Sequence, residues 1–359
     1  MDFGLSEEQE LLQATVRQFA ERECPPKVVR EQFESPEDWS LALWRGLAEL
    51  GIAGLPVAEA HGGAGLGLLD LALAAEVLGE GAVPGPFLGH ALATLALGLG
   101  GSDAQQRAWL PKLAAGECLA TVAFAEADGG GWQPEEWTAK ANGAASGAKS
   151  FVPAAAQADL FVVGVAGGGL ALVERRAAGV GVEPVAGADR TRRVGRLSLS
   201  GAPCELLPRG AEAAPRVRDA ALVLLAADAL GGASRCVATS VEYAKAREQF
   251  GVTIGHFQAL KHQLADMALA VEPARALVWY AAHAFDAVPT ESPRAAALAK
   301  AHLTDVFMQV ARETVEAHGG IGFTWECDVQ IWYKRAMFDR AFCGTPGVHR
   351  ERAARLSGW

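Results

Sequence analysis

Apolar side chains recur at helical spacing through the first third of the chain. Leu11, Leu12 and Val16 follow Ser6 and Gln9, whose spacing makes a capping box. Trp39, Leu43, Leu47 and Leu50 form a second stripe that ends at Gly51. Leu71, Ala75 and Leu78 form a third, ending at Gly79, and a short helix over 104–110 leads into Pro111-Lys112-Leu113. Between the second and third stripes, Leu55 to Gly65 is rich in turn residues. From about residue 119 the period shortens. The runs LATVAFA (119–125), KSFVPA (149–154), DLFVVGV (159–165), LALVE (170–174) and RVGRLSLS (193–200) read as strands separated by Gly, Ala and Asp.

After about residue 213 the helical period returns. A long helix is predicted over 221–249, with Gly231-Gly232 in its middle allowing close packing. Leu260, Leu264, Met267 and Val271 share one face of the next helix. Ser292-Pro293 predicts an N-cap followed by the first helical residue, with Ala299, Leu303, Val306 and Val310 on one side. A fourth, shorter helix lies between Gly319 and Thr345; Thr345-Pro346 starts another. Three long helices and one of moderate length predict an antiparallel four-helix bundle. The chain therefore reads as α+β, mainly α. An N-terminal helical domain (1–118) is followed by a middle β domain (119–212) and a C-terminal helical bundle (213–359).

Composition narrows the function. With 359 residues, half of them hydrophobic, the chain can bury a sizeable core, and its net charge of −10 argues against nucleic acid as a partner. No apolar run reaches about 18 residues without interruption, so no membrane span is expected. The acidic, amphipathic opening does not read as a targeting peptide. Cys24, Cys118, Cys204, Cys236, Cys327 and Cys343 are scattered without a Cys-x-x-Cys pair, which fits reduced thiols and a cytoplasmic location. The eight histidines lack metal spacing: His256 and His262 are six apart, and His61, His318 and His349 sit beside glycines or in turns. No metal is expected. Trp325, Trp332 and Tyr333 read as core packing, with pocket lining the other reading.

Two blocks carry a family resemblance: REQFGVTIGHFQALKHQLADM (247–267) and GGIGFTWECDVQIWYKRAMFDRAFCGT (319–345). Together with MDFGLSEEQ, LWRGLAELGIAGLPVAEAHGGAG (43–65) and WLPKLAAGE (109–117), they resemble the acyl-CoA dehydrogenase family over nearly the whole chain. The resemblance implies FAD as cofactor, an acyl-CoA as substrate and an electron-transfer protein as acceptor. In that family a carboxylate removes the α-proton of the thioester while a hydride leaves Cβ for the flavin. The base must reach the proton and match its pKa to the task, and the thioester oxygen must be stabilised as charge develops.

The family places its base at one of two positions, and this chain departs at both. Where the family reads Tyr-Glu-Gly-Thr, this chain has Cys343 before Gly344-Thr345. A thiol with a pKa near 8.5 is mostly protonated at neutral pH, and it is shorter than Glu. The second position, counted back from Arg247, is Ala221, followed by Leu222. Neither moves a proton. Asp219 is the nearest fallback base, its plain reading being an acid at a helix N-terminus.

The flavin contacts implied by the resemblance divide in two. The loop that holds a subunit's own flavin is hydroxyl-rich in the family. Here it is FAEADGGGW (124–132), without Ser or Thr, and the Trp-Ile-Thr turn is Phe151-Val152-Pro153. Pro153 has no N–H to donate. The contacts that reach a neighbour's flavin are better kept: Arg247 matches the pyrophosphate-binding Arg, Phe250, Phe257 and Gln258 its surroundings, and Gly319 and Gly320 the turn near the adenosine. Glu316 stands where the family has Gln, and a carboxylate there is unfavourable unless a cation lies close.

These features are similar to the non-catalytic subunit of actinobacterial α2β2 acyl-CoA dehydrogenases acting on steroid side-chain CoA thioesters. A homologous catalytic subunit would then be the partner in a heterotetramer. Two alternatives stand beside this: a self-sufficient homotetramer with a non-standard base, and a structural or ligand-binding relative that has lost flavin.

Overall fold

The computed structural model describes residues 4–35 and 40–359, so Trp39 of the second apolar stripe lies outside the described residues. The N-terminal helices are α1 (Glu7–Glu23), α2 (Pro26–Glu34), α3 (Leu41–Glu49), α4 (Leu68–Glu80), α5 (Phe87–Gly100) and α6 (Asp103–Ala114). The strands that follow are β1 (Ala120–Ala123), β2 (Lys140–Ala141), β3 (Ala144–Pro153), β4 (Leu160–Val165), β5 (Gly169–Glu174), β6 (Val180–Val185), β7 (Val194–Pro203) and β8 (Glu205–Leu206). Then come α7 (Gly210–Ala246), the short strands β9 (Glu248–Gln249) and β10 (Val252–Thr253), and five helices. These are α8 (Gln258–Val271), α9 (Ala274–Ala287), α10 (Ser292–Ala317), α11 (Val329–Ala341) and α12 (Pro346–Leu356). The chain is α+β and mainly helical, as predicted.

Contacts divide the chain into two compact units. One comprises Ser35–Leu71 and Pro84–Ala221. In it β1-β4-β5-β8 form one sheet and β2-β3-β7-β6 another. All pairings are antiparallel except β1 with β4. Val152, Phe161, Val163, Val173, Leu197 and Leu199 fill their shared core. The five predicted strands are all present. β6 was not predicted: it lies at a sheet edge, Pro184 within it has no N–H to donate, and only Val180 and Val182 pack inward. Helix α5 was also missed, because it is buried nearly all round and has no polar face to set a period. Its Gly89 lies so close to Thr121 on β1 that a Cβ would collide with the hydroxyl.

His90, on α5, is 1% exposed and packs edge-on against Trp44, ring centroids 4.7 Å apart. Burial pushes its pKa from 6.5 down to about 4. Between those values the unfolded chain binds more protons, so stability held above pH 6.5 falls as pH drops towards 4. Replacing His90 by Leu should flatten this part of the pH profile, as read by melting temperature between pH 7 and about 4. An unchanged acid slope in that variant would remove His90 as its source.

The second unit comprises Met1–Glu34, Ala72–Val83 and Leu222–Trp359. Ser6 and Gln9 form the predicted capping box. Helix α4 runs one residue beyond Gly79, which is needed inside it: a Cβ there would strike the backbone of Asp228 on α7. Gly231 does the same against the Glu76 carbonyl, and Gly232 against Phe307. The double glycine thus permits close helix packing, as its sequence suggested.

Helix α7 begins at Gly210 rather than 221 and ends at Ala246, where Arg247 peels away into the β9–β10 hairpin. Its most apolar 18-residue window has a mean hydropathy of 1.5, enough in length and composition to cross a membrane, but 83% of that window is buried within the protein. The second predicted helix is α8, which carries Leu260, Leu264, Met267 and Val271; α9, which follows after Glu272-Pro273, was not predicted. Ser292 is the first residue of α10 rather than its cap. Helix α10 packs against α8, α9, α11 and α12, with Ala299, Leu303, Val306 and Val310 all buried.

Candidate functional site

The turn at Cys343 is built from three helices. Helix α11 ends at Ala341, Phe342 caps it, and α12 starts after Thr345 as predicted. Between them Cys343 has φ 60° and Gly344 φ 101°. A left-handed φ is uncommon for a residue with a Cβ, so the surroundings must hold it. Two fully buried side chains do so. His349 Nε2 lies 2.9 Å from the Cys343 carbonyl. Lys300, on α10, donates to the carbonyls of Asp339 (2.5 Å), Arg340 (3.3 Å) and Gly344 (3.3 Å), satisfying carbonyls that the helix end leaves open. Burial pushes Lys300 down to about 8, with Cys343 and Asp339 opposing that shift. The Cys343 residue is itself 3% exposed.

The other base positions fall on α7. Ala221 and Leu222 are wholly buried. Asp219 is not at a helix N-terminus, since α7 starts at Gly210 and Asp219 lies more than two turns inside it. It is 4% exposed and its carboxylate accepts from Arg218 Nε at 3.0 Å. Arg218 in turn donates to Gln133 Oε1 at 3.0 Å.

The loop over 124–132 is tied to its own sheet. Glu126 accepts from the Thr138 N–H (2.9 Å) and hydroxyl (2.8 Å) and from Lys149 Nζ (2.5 Å). Lys149, on β3 and 0% exposed, also donates to the Phe124 carbonyl at 3.1 Å. The Ser150 hydroxyl donates to the Ala127 carbonyl at 3.0 Å, and the Pro153 carbonyl accepts from Thr121 at 2.7 Å. Phe151 has φ 51° and stacks on Trp132 at 6.5 Å. The hydroxyls bordering this loop are thus engaged internally, and Pro153 has no N–H, so the loop fits a flavin poorly. Sequence reading missed Glu126 and Lys149. The available signal was a lysine in the middle of an apolar strand, which needs an acid nearby.

The other predicted contact set is exposed and lies on one stretch of backbone. The β9–β10 hairpin turns through Phe250 (φ 56°) and Gly251 (φ 80°), the two left-handed residues of a tight two-residue loop. Phe250 is 93% exposed at its tip and meets Phe257 edge-on at 6.1 Å. Arg247 is exposed and makes no ion pair among the described residues; its carbonyl accepts from Ile254 at 2.8 Å. Gln258 is the first residue of α8, also exposed. Gly319 (φ 65°) and Gly320 are exposed, and nothing lies within 4 Å of where a Cβ would be. One turn before Arg247, Tyr243 stacks at 4.3 Å on His318, the residue before Gly319. That stack, which the sequence did not reveal, brings the Arg247 and Gly319 segments side by side. Glu316 has the cation it requires: Arg312 lies 3.5 Å away, one turn earlier on α10. The exposed donors and open glycine backbone fit a pyrophosphate-bearing cofactor.

Trp332 is buried and donates to the Gly79 and Glu80 carbonyls at 3.3 and 3.2 Å, as core packing predicts. Trp325 and Tyr333 differ from that expectation: Trp325 is 59% exposed and both line a cleft. The six cysteines are free thiols.

Comparison with known proteins accords with this geometry. The acyl-CoA dehydrogenase N-terminal domain matches residues 6–117 and the C-terminal domain residues 216–357. The chain belongs to the acyl-CoA dehydrogenase family, oxidoreductases that act on CH–CH bonds with FAD. It is 36% identical to the acyl-CoA dehydrogenase IpdE2 of Mycolicibacterium smegmatis over 98% of each chain. Among solved structures it resembles a steroid ACAD, Tcur3481-Tcur3483, with a TM-score of 0.90 and 32% identity over 98% of each chain. The ChsE4-ChsE5 complex from Mycobacterium tuberculosis matches with a TM-score of 0.91 and 27% identity, over 100% of this chain and 99% of that one.

Proposed function

We propose that this chain is the non-catalytic subunit of a heteromeric, cytoplasmic acyl-CoA dehydrogenase, completing a flavin site whose base and remaining contacts come from a homologous partner. The observation that carries it is the chemistry of the base positions: a buried thiol at Cys343 and a methyl group at Ala221. The fallback acid Asp219 is already paired with Arg218, which weighs against a self-sufficient enzyme. Arg247 would hold the flavin pyrophosphate, Phe250, Phe257 and Gln258 would border it, and Gly319 and Gly320 would let the adenosine half approach. Arg312 would offset the charge of Glu316. Bound there, FAD supplies the two-electron acceptor for the partner's substrate. The residues of this chain bind and orient it and move no proton. The similarity to a steroid ACAD and to a two-component complex supports a partner chain and a steroid-related substrate. An α2β2 assembly acting on a steroid side-chain CoA thioester is the form of this proposal.

The purified single chain should hold little flavin and dehydrogenate no acyl-CoA, while co-expression with the partner restores both. Full yellow colour and turnover by the single chain would establish a self-sufficient enzyme instead. Within the assembled enzyme, Cys343→Ala should leave kcat within a few-fold of wild type, because a buried thiol is a poor match for the base role. A loss of roughly a thousandfold with assembly intact, the scale of losing a general base, would make Cys343 catalytic.

A further inference from the structure

We propose that the cleft bordered by the end of α10, the Gly-rich turn and the start of α11 is a second small-molecule site, for a flat heteroaromatic ring carrying phosphate charge. The cleft has a volume of about 470 Å3 and is lined by Arg312, Glu316, Phe323, Trp325, Tyr333 and Lys334, among others. That volume falls in the usual range for ligand pockets. Three aromatic side chains face one concavity, with Phe323 77% and Trp325 59% exposed. Leaving that much ring surface in water is costly, and a concave, aromatic wall favours a planar ligand over a flat protein face.

The wall is preorganised. Arg30 donates to the carbonyls of Trp325 and Glu326, both at 2.7 Å, and pairs with Asp328 at 2.8 Å, which fixes the 325–328 segment. Lys334 Nζ stands 3.9 Å from the Trp325 ring centroid and 4.9 Å from that of Phe33. Charge points to an anion. Two cations, Arg312 and Lys334, face one acid, Glu316. The Arg312–Glu316 pair is long and exposed, at 3.5 Å, so it is weak and Arg312 can turn to a stronger acceptor. Ring plus phosphate is the chemistry of a nucleotide. Glu316 and Arg312, which offsets its charge, are shared with the flavin-completing set; Phe323, Trp325, Tyr333 and Lys334 have no part in that role.

ADP is the probe, titrated calorimetrically into the FAD-loaded complex, where the flavin site is already filled. Saturable binding is expected with Kd on the order of 100 μM. Adenosine and inorganic pyrophosphate, each lacking half the chemistry, should bind at least about tenfold more weakly. Lys334→Met and Tyr333→Leu should each weaken ADP about tenfold or more. Arg247→Ala, which acts on the flavin site, should leave ADP binding unchanged. On the single chain, where the flavin contacts stand open, the titration is made on the Arg247→Ala variant and should give the same affinity, since all the lining residues of the cleft are its own; that arm stands whether or not the heteromeric reading does. No saturable ADP binding up to about 5 mM, or binding indifferent to both cleft variants, would overturn the proposal. So would binding seen only after FAD is stripped, which would assign the cleft to the flavin.

Discussion

Replacing Arg335 by Met is expected to destabilise the folded chain by about 3–5 kcal/mol, the cost of breaking a buried ion pair from one side. Arg335 is 0% exposed on α11, and its Nε and Nη2 donate to the two carboxylate oxygens of Asp228 at 2.8 and 2.7 Å. Its Nη1 reaches the Val83 carbonyl at 3.4 Å. Asp228 is 1% exposed, on a stretch of α7 where Ala227, Ala229 and Leu230 are fully buried. Without the guanidinium, its carboxylate would be left charged in an apolar setting or forced to take up a proton. Lys should recover only part of the loss, since it keeps the charge but not the two-pronged geometry. The double variant Arg335→Met, Asp228→Leu should regain most of the stability, because apolar side chains can replace a buried pair at little net cost. Thermal and denaturant melts of the three variants check this. An Arg335→Met protein as stable as wild type would mean that the pair contributes little.

That pair was not legible in the sequence, because its partners lie 107 residues apart and nothing local marks either one. The same holds for Tyr243 with His318, which tertiary packing brings together; Lys149 did carry a local mark, a lysine within an apolar strand, but that mark does not name Glu126 as its partner. Legible features had local causes. The Ser6–Gln9 capping box, the Thr345-Pro346 start and the Gly231-Gly232 crossing each follow from backbone requirements of a few residues. The long helices and inner strands were legible from their period. Helix α5 and strand β6 were not, the first because it lacks a polar face and the second because it is a Pro-containing edge. The start of α7 was misplaced by the charged stretch before Ala221, where polar residues hide the helical period. Misplacing it also misplaced Asp219, turning an internal, paired acid into an apparent helix-end one.

Arg247→Ala is expected to weaken FAD binding in the assembled enzyme by roughly 10- to 150-fold. This corresponds to about 1.5–3 kcal/mol for a charge-assisted contact to pyrophosphate. The structure makes the variant clean. Arg247 is exposed, its ion-pairing capacity is unused among the described residues, and its backbone bonds to Tyr243 and Ile254 do not depend on the side chain. The fold and the melting temperature of the single chain should therefore not change. Lys at 247 should recover part of the affinity, since a point charge lacks the fork. FAD release monitored by flavin fluorescence gives the affinity for each complex. Wild-type affinity in Arg247→Ala would remove this side chain from the flavin site.

The number of flavins in the assembled enzyme tests the central claim most directly. If this chain lends its hairpin and Gly-rich turn to a partner but holds no flavin on its own 124–132 loop, two FAD should bind where four chains assemble. The FAD-to-protein ratio of the purified complex, from flavin absorbance against amino-acid analysis, reads this without assuming a substrate. A ratio of two per tetramer is the expected result. Four per tetramer would show that this chain's own loop binds flavin after all, and would contradict the account.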